Sequence, residues 1–241
     1  MSIDYRFSHM CPGKGRSYHS SFQNSAHRSI IWALEKQILN DIMSYYFSNR
    51  HVIAHLDFAC GTGRILEYLQ NKVKISVGVD ISSEMLGVAR NNLKACRLIE
   101  ADLTKNDVLR NEQFDIITAF RFFPNAQPDL RKEVIGCLVT HLKKDGLIIL
   151  NNHKNASSIL YRVARFLGDS RGEKGMSHAE VLALVTSVGL KIIKIYSTGF
   201  FPSNDRYLLI PKSMLYFIER SLMKRSAFPT LFQNNIYVCS L

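Results

Sequence analysis

The sequence predicts an α/β fold: a doubly wound, mostly parallel seven-stranded sheet with helical cap insertions. Three observations predict it. Apolar runs alternate with helical segments from residue 51 to residue 153, the pattern of strands joined by helical crossovers. The first run ends in a small-residue turn, Ala59-Cys60-Gly61-Thr62-Gly63, that opens a helix. An acidic residue, Asp80, closes the next apolar run in Val-Gly-Val-Asp-Ile-Ser.

The elements follow in order. Residues 52–58 read as the first strand and 63–70 as its helix. Residues 73–79 are the second strand, followed by a helix over 83–93 capped by Ser82 or Ser83. A short third strand covers 98–103 and ends in Ala-Asp-Leu. The fourth covers 114–120 and runs into Arg121-Phe122-Phe123-Pro124. A helix over 129–142 stops at Lys143-Lys144-Asp145-Gly146, with basic residues near its C-terminus. Residues 146–151 are the fifth strand, 177–188 a helix closed by Gly189, 190–196 the sixth strand and 235–240 the seventh. Repeated strand–helix units imply parallel crossovers and a sheet covered on both faces.

At 241 residues the chain suits one core. Residues 1–50 read as an N-terminal helical arm or cap. The main domain is 51–241, with insertions at about 154–175 and 202–233. No apolar run approaches the length of a membrane span, and Asp4 and Arg6 argue against a secretory signal. Five cysteines without Cys-x-x-Cys spacing support neither a disulfide scaffold nor a zinc site, so a reducing, cytoplasmic setting and no metal are expected. Net charge is +11 and unevenly placed. Residues 51–150 hold 13 Lys/Arg against 12 Asp/Glu, whereas the flanks hold 18 against 8. That excess is either a solvated basic surface or an attraction for acidic partners.

The glycine turn is not a dinucleotide fingerprint, because the third glycine position counted from Gly61 is the bulky Leu66. It fits a looser pattern, Asp-x-Ala-x-Gly-x-Gly, led by Asp57. This resembles the cofactor motif of class I S-adenosylmethionine-dependent methyltransferases, with Ala59 where glycine is usual. The resemblance spans roughly residue 30 to the C-terminus and places the seventh strand antiparallel beside the sixth. It implies S-adenosyl-L-methionine as cofactor and S-adenosyl-L-homocysteine as product. Asp57 then helps hold the amino-acid end of the cofactor, and Ala59, Gly61 and Gly63 let the backbone approach it. Asp80 accepts the ribose hydroxyls, with Ile81 and Met85 flanking the adenine. Asp102 accepts from the adenine amino group beside the backbone nitrogen of Leu103, and Phe120 lies where donor meets acceptor.

The same resemblance narrows the acceptor. Phe-Arg-Phe-Phe-Pro after the fourth strand lacks the Asn/Asp-Pro-Pro-aromatic motif of enzymes that methylate nucleobase amines. No glutamate pair of the protein arginine type lies between Phe120 and Leu130. Asn151 and Asn152 have no acidic neighbour to complete a catechol-type metal site. What remains is methyl transfer to a small or carrier-linked acceptor, most simply at oxygen, which benefits from a general base. His153, after the fifth strand, is the first candidate and His19 the second. Tyr18 and Phe122 are candidate substrate contacts, and Arg121 an anchor for an acidic group. Helical stripes at 158–167 and 212–228 read first as packing faces, with a lid or peripheral membrane contact as the alternative. Nucleic acid is not expected as a partner, since no stacking or backbone-binding module is present. An RNA methyltransferase recruited by its basic flanks and a non-catalytic S-adenosylmethionine-binding protein are the competing readings.

Overall fold

The computed structural model describes residues 5–8, 25–48, 52–166, 175–201, 211–223 and 229–241. Tyr18 and His19 lie outside the described residues, as do residues 167–174 of the first insertion and 202–210 and 224–228 of the second. The described helices are α1 (Tyr5–Ser8), α2 (Ala26–Tyr46), α3 (Arg64–Leu69), α4 (Ser83–Asn92), α5 (Pro128–Thr140), α6 (Ile159–Phe166), α7 (His178–Thr186) and α8 (Lys212–Met223). The strands are β1 (Ala54–Phe58), β2 (Ile75–Asp80), β3 (Arg97–Glu100), β4 (Phe114–Ala119), β5 (Leu142–Asn152), β6 (Lys191–Thr198) and β7 (Asn234–Ser240). They form one seven-stranded sheet in the order β3-β2-β1-β4-β5-β7-β6. The first five in that order are parallel, and β7 runs antiparallel to both β5 and β6.

The sheet buries both faces, which is why β1 and β4 are buried along their whole length. Neighbouring residues diverge as a pleat requires. Ile116, Ile149 and Val238 meet Leu34, Ile38 and Ile42 of α2, with Leu215 and Met223 of α8 in the same cluster. Ile117, Ile148 and Tyr237 join Val134 and Leu138 of α5 and Val185 of α7 on the other side. Helix starts follow local chemistry. Ser82 accepts from the Met85 N–H to cap α4, and Ser177 with Glu180 forms a capping box at α7. The order of strands across the sheet reverses between the parallel β1 and β4, so the strand ends there open the crevice where ligands of such sheets bind.

The main departures from the sequence expectation lie at the α5–β5 junction, at the end of β3 and on α8. Helix α5 ends at Thr140, and β5 begins at Leu142 instead of Gly146. The Lys143–Gly146 segment therefore lies within the strand: pairing slips from Phe114↔Leu142 to Ile116↔Leu147. Gly146 permits this close passage, since a Cβ there would sit 3.0 Å from the Phe114 carbonyl. Lys143 Nζ reaches Asp115 Oδ2 at 2.8 Å across the irregularity. Strand β3 stops at Glu100, which leaves Asp102 in the turn beyond it. In α8 the buried positions are Leu215, Glu219 and Met223, whereas Met214, expected on the packed stripe, is 49% exposed. Glu219 is buried because its carboxylate accepts the backbone N–H groups of Gly199, Phe200 and Phe201. Among the described residues no helix is long and apolar enough to cross a membrane.

Candidate active site

The turn after β1 brings three left-handed residues into five positions: Ala59 (φ 52°), Gly61 (φ 55°) and Gly63 (φ 80°). Ala59 holds that conformation against its own Cβ. The two glycines do different work. A Cβ on Gly61 would meet nothing within 4 Å, so this glycine leaves open space above the backbone. A Cβ on Gly63 would lie 2.7 Å from Leu93 Cδ1 and 3.2 Å from Ala89 Cβ, so that glycine serves packing at the end of α4. Close helix–strand contact, normally the task of a third glycine, comes from the strand instead. Gly78 in β2 makes room for Leu66, whose Cδ1 is 2.5 Å from where a Cβ would stand.

Asp80 closes the turn. Its Oδ2 accepts the Gly61 N–H at 2.7 Å and its Oδ1 the Ser82 N–H at 2.9 Å. Burial raises its pKa, and the backbone N–H bonds oppose the rise. Asp57 pairs in register with Gly78 on one side and Thr118 on the other. It is buried, and the Thr118 hydroxyl donates to its Oδ1 at 2.6 Å. Burial raises Asp57 from its ordinary 3.8 to about 7, against the Thr118 bond and the charge of Arg64, while Asp80 adds to the rise. Asp57 Oδ2 is buried without a hydrogen-bond partner among the described residues. Asp57, Gly61 and Asp80 are thus brought together as a unit.

The other residues expected at the cofactor have these surroundings. Ile81 is partly buried, but Met85 is part of the core. Leu103 is buried in the main cluster, and its carbonyl accepts from Cys137. Asp102 is already engaged: Arg6 Nε donates to its Oδ2 at 2.7 Å, and Thr104 donates twice to its Oδ1. Burial pushes the Asp102 carboxyl up, but the Thr104 and Arg6 hydrogen bonds overcome it and leave the pKa below its ordinary value. Phe120 and Phe122 fall into opposite clusters. Phe122 packs edge-on against Phe58 (5.0 Å), Phe123 (5.3 Å) and Tyr5 (5.6 Å).

Beyond β4 the site becomes polar and cationic. Arg121 adopts a left-handed backbone (φ 62°), unusual for a side chain of its size. Asn151 Oδ1 accepts its N–H at 2.6 Å, and Asn125 Nδ2 donates to its carbonyl at 2.6 Å. Strain of this kind persists where surrounding contacts over-determine it. The Arg121 guanidinium lies 3.9 Å from Glu35 Oε1, while Arg64 donates to Glu35 Oε2 at 2.7 Å. Asn234 Nδ2 also donates to Glu35 Oε1 and bonds Thr198, and its Oδ1 accepts from Asn151. His153 is partly buried beside this network, with Nδ1 shut from solvent and without a hydrogen-bond partner among the described residues. Burial pushes its pKa well below the ordinary value, and the charges of Arg121, Lys154, Arg28 and Arg64 push it further.

Sequence reasoning missed Tyr5, Arg6 and Glu35. A signal existed for Glu35: it is the one acid on the stripe Ile31, Leu34, Ile38, Ile42 of α2. No local signal marks Tyr5 and Arg6, whose partners Gln127, Asp102 and Glu133 are remote in sequence. Among the described residues no group of three or more His, Cys, Asp or Glu is arranged to hold a metal ion.

Residues 56–146 match the family model described as "Methyltransferase domain". A curated relative, carboxy-S-adenosyl-L-methionine synthase from Sulfurimonas denitrificans, is 28% identical over 181 residues, covering 67% of this chain and 71% of that protein. Among solved structures, a SAM-dependent methyltransferase from Archaeoglobus fulgidus superposes with a TM-score of 0.61 at 18% identity, covering 99% of this chain and 100% of that one. Magnesium protoporphyrin IX methyltransferase from Synechocystis with bound SAM gives a TM-score of 0.62 at 11% identity, covering 99% and 97%. At these identities the structural likeness establishes the fold.

Proposed function

We propose that this chain, which belongs to the class I S-adenosylmethionine-dependent methyltransferases, methylates an oxygen of an anionic small molecule, glycan or lipid-carried acceptor. One observation carries the acceptor class: Arg28, Arg64, Arg121 and Lys154 all act electrostatically on His153 at the catalytic end of the sheet. Glu35 already meets Arg64 and Arg121, and a phosphate or carboxylate on the acceptor would add a further counter-charge to this cluster.

The residues present fit the cofactor. Gly61 leaves the space a side chain would fill, Asp57 keeps one buried carboxylate oxygen unbonded within the described residues, and Asp80 stands beside the turn. Asp57 and Asp80 would hold the ammonium and ribose ends. S-adenosylmethionine supplies an electrophilic methyl group on a sulfonium centre. The protein's own contribution is to align the acceptor through Arg121, whose strained backbone is pinned by Asn151 and Asn125. His153 is neutral at physiological pH and would take the acceptor hydroxyl proton at Nδ1 once that buried nitrogen is uncovered to the acceptor. An acceptor anion among the surrounding cations raises its basicity as it binds.

A carrier-linked acceptor is supported by the apolar groups left exposed on two insertion helices, Ile159 and Phe166 on α6 and Met214 and Phe217 on α8. A cytoplasmic setting belongs to the same reading, in keeping with the free thiols of Cys60, Cys96, Cys137 and Cys239.

Titration with S-adenosylhomocysteine, then incubation with S-adenosylmethionine and a panel of phosphorylated and carboxylated alcohols, tests the proposal. The expected result is micromolar or tighter binding and an acceptor heavier by one CH2. Turnover only with uncharged acceptors would refute the anionic class, and binding without turnover would favour a non-catalytic role. The Sulfurimonas relative favours a second reading, since its name describes formation of a carboxylated cofactor. A carboxylated S-adenosylmethionine in the reaction mixture, in place of a methylated acceptor, would decide for it.

A further inference from the structure

The polar contacts of β1 do not end at Asp57. His55, two residues earlier on the same strand and face, is fully buried, as is Thr118 on the neighbouring β4. His55 Nε2 lies 2.8 Å from Thr118 Oγ1, and that hydroxyl lies 2.6 Å from Asp57 Oδ1. Three side chains therefore form one hydrogen-bonded row across β1 and β4. With Asp57 ionised, one arrangement of donors and acceptors satisfies every short contact. Thr118 has one proton, and Asp57 Oδ1 at 2.6 Å requires it. Thr118 then accepts from His55 Nε2–H, which leaves Nδ1 as the bare nitrogen; Nδ1 is indeed the ring atom without a partner among the described residues. The other tautomer would bury an N–H with no acceptor, the costlier error.

We propose that His55 and Thr118 are positioning residues for Asp57, fixing Oδ1 within the sheet so that Oδ2 is reserved for the ammonium end of the cofactor. The inference rests on the S-adenosylmethionine reading of the site. A buried histidine in β1 and a buried threonine in β4 have no packing advantage over valine. Their gain lies in Asp57. A hydroxyl donated to the carboxylate favours its charged form against burial, and the neutral imidazole polarises that hydroxyl without adding a competing charge. Burial holds His55 at about 3, so it stays neutral at any working pH. Other groups acting on or feeling Asp57 are Arg64 from α3, Asp80 from β2, Cys60 in the turn and Cys96 before β3.

Thr118→Val removes the hydroxyl while keeping the side chain's shape, and Thr118→Ser restores it. S-adenosylhomocysteine affinity is measured by calorimetry across the neutral pH range, and the pH dependence of thermal unfolding is followed without ligand. Thr118→Val is expected to bind roughly tenfold or more weakly at neutral pH, with the pH midpoint for binding moved upward. In ligand-free unfolding the transition assigned to Asp57 moves upward as well. Thr118→Ser should return both to wild type, and His55→Phe should shift them in the same direction as Thr118→Val. Wild-type affinity and midpoints in Thr118→Val would overturn the proposal, as would a serine variant as impaired as valine, since packing alone would then explain the loss. No binding by the wild-type protein would instead remove the cofactor reading; the ligand-free unfolding profile separates the two failures.

Discussion

Three glycines in and beside the turn after β1, each replaced by alanine, should give three distinguishable outcomes. Gly61 has φ 55° and open space around a built Cβ, so Gly61→Ala meets only the left-handed backbone penalty. That penalty is about 1–2 kcal/mol, offset by about 0.5–1 kcal/mol from the lower entropy of the unfolded chain. Gly78 carries no such backbone penalty, but its Cβ would stand 2.5 Å from Leu66 Cδ1, 2.9 Å from Leu98 Cδ2 and 3.0 Å from Cys60 Sγ. Leu66 is fully buried and has nowhere to swing, so overpacking costs about 1–3 kcal/mol. Gly63 combines φ 80° with a contact of 2.7 Å to Leu93 and should be the least stable of the three. Each kcal/mol corresponds to roughly 2–4 °C in a chain of this size. Differential scanning calorimetry without ligand should therefore rank melting temperatures Gly61→Ala above Gly78→Ala above Gly63→Ala. Titration with S-adenosylhomocysteine should invert part of that ranking. Gly61→Ala, the most stable, loses about tenfold or more in affinity because its methyl enters the space left for the ligand. Wild-type affinity in Gly61→Ala would refute the division of labour, as would a Gly63→Ala protein as stable as Gly61→Ala.

Asp57→Asn should separate stability from binding. The folded state holds the Asp57 proton more tightly than the unfolded chain, so this contribution is complete below about pH 4 and disappears as pH rises through about 7. The rise from 3.8 to about 7 corresponds to on the order of 4 kcal/mol, so the asparagine variant should gain stability over wild type as pH increases through this window, seen by urea unfolding, yet bind cofactor more weakly. Ala59→Gly relieves a left-handed alanine and should raise stability by up to about 1 kcal/mol with cofactor affinity intact; a lower melting temperature would contradict the assigned turn. Glu35→Leu leaves Arg64 without its buried carboxylate and should cost about 3–5 kcal/mol. Breaking the exposed Arg97–Glu112 pair by Arg97→Ala should cost at most about 1 kcal/mol, and equal losses in the two variants would show that burial does not govern these pairs.

Much of this architecture is legible along the chain because its causes are local. Alternation of apolar runs with helical segments marks the strands and crossovers, and Ser82 and Ser177 announce their helices by side chains that cap within three residues. The glycine turn is equally local. Its interpretation was incomplete: Leu66 excludes the dinucleotide fingerprint, but only packing shows that Gly78 supplies the missing clearance. The segment at Lys143 resembles a helix stop because basic residues and a glycine follow an amphipathic run. It is strand because Phe114 and Leu142 pair across β4 and β5, a contact no local pattern contains.

The sequence by itself determined the fold class, the glycine turn and the places of Asp57 and Asp80 beside it, since strand period, turn conformation and strand-end position follow from residues a few places apart. Tertiary structure alone decided which polar groups share an environment. Glu35 and Asn234 meet across 199 positions of sequence, and Arg6 reaches Asp102 across 96. A buried charge must find its partner wherever the fold brings one within reach, because the low-dielectric interior penalises an unpaired group far more than sequence distance does. That requirement is set by space, and it draws Glu35, Arg64 and Arg121 together beside His153.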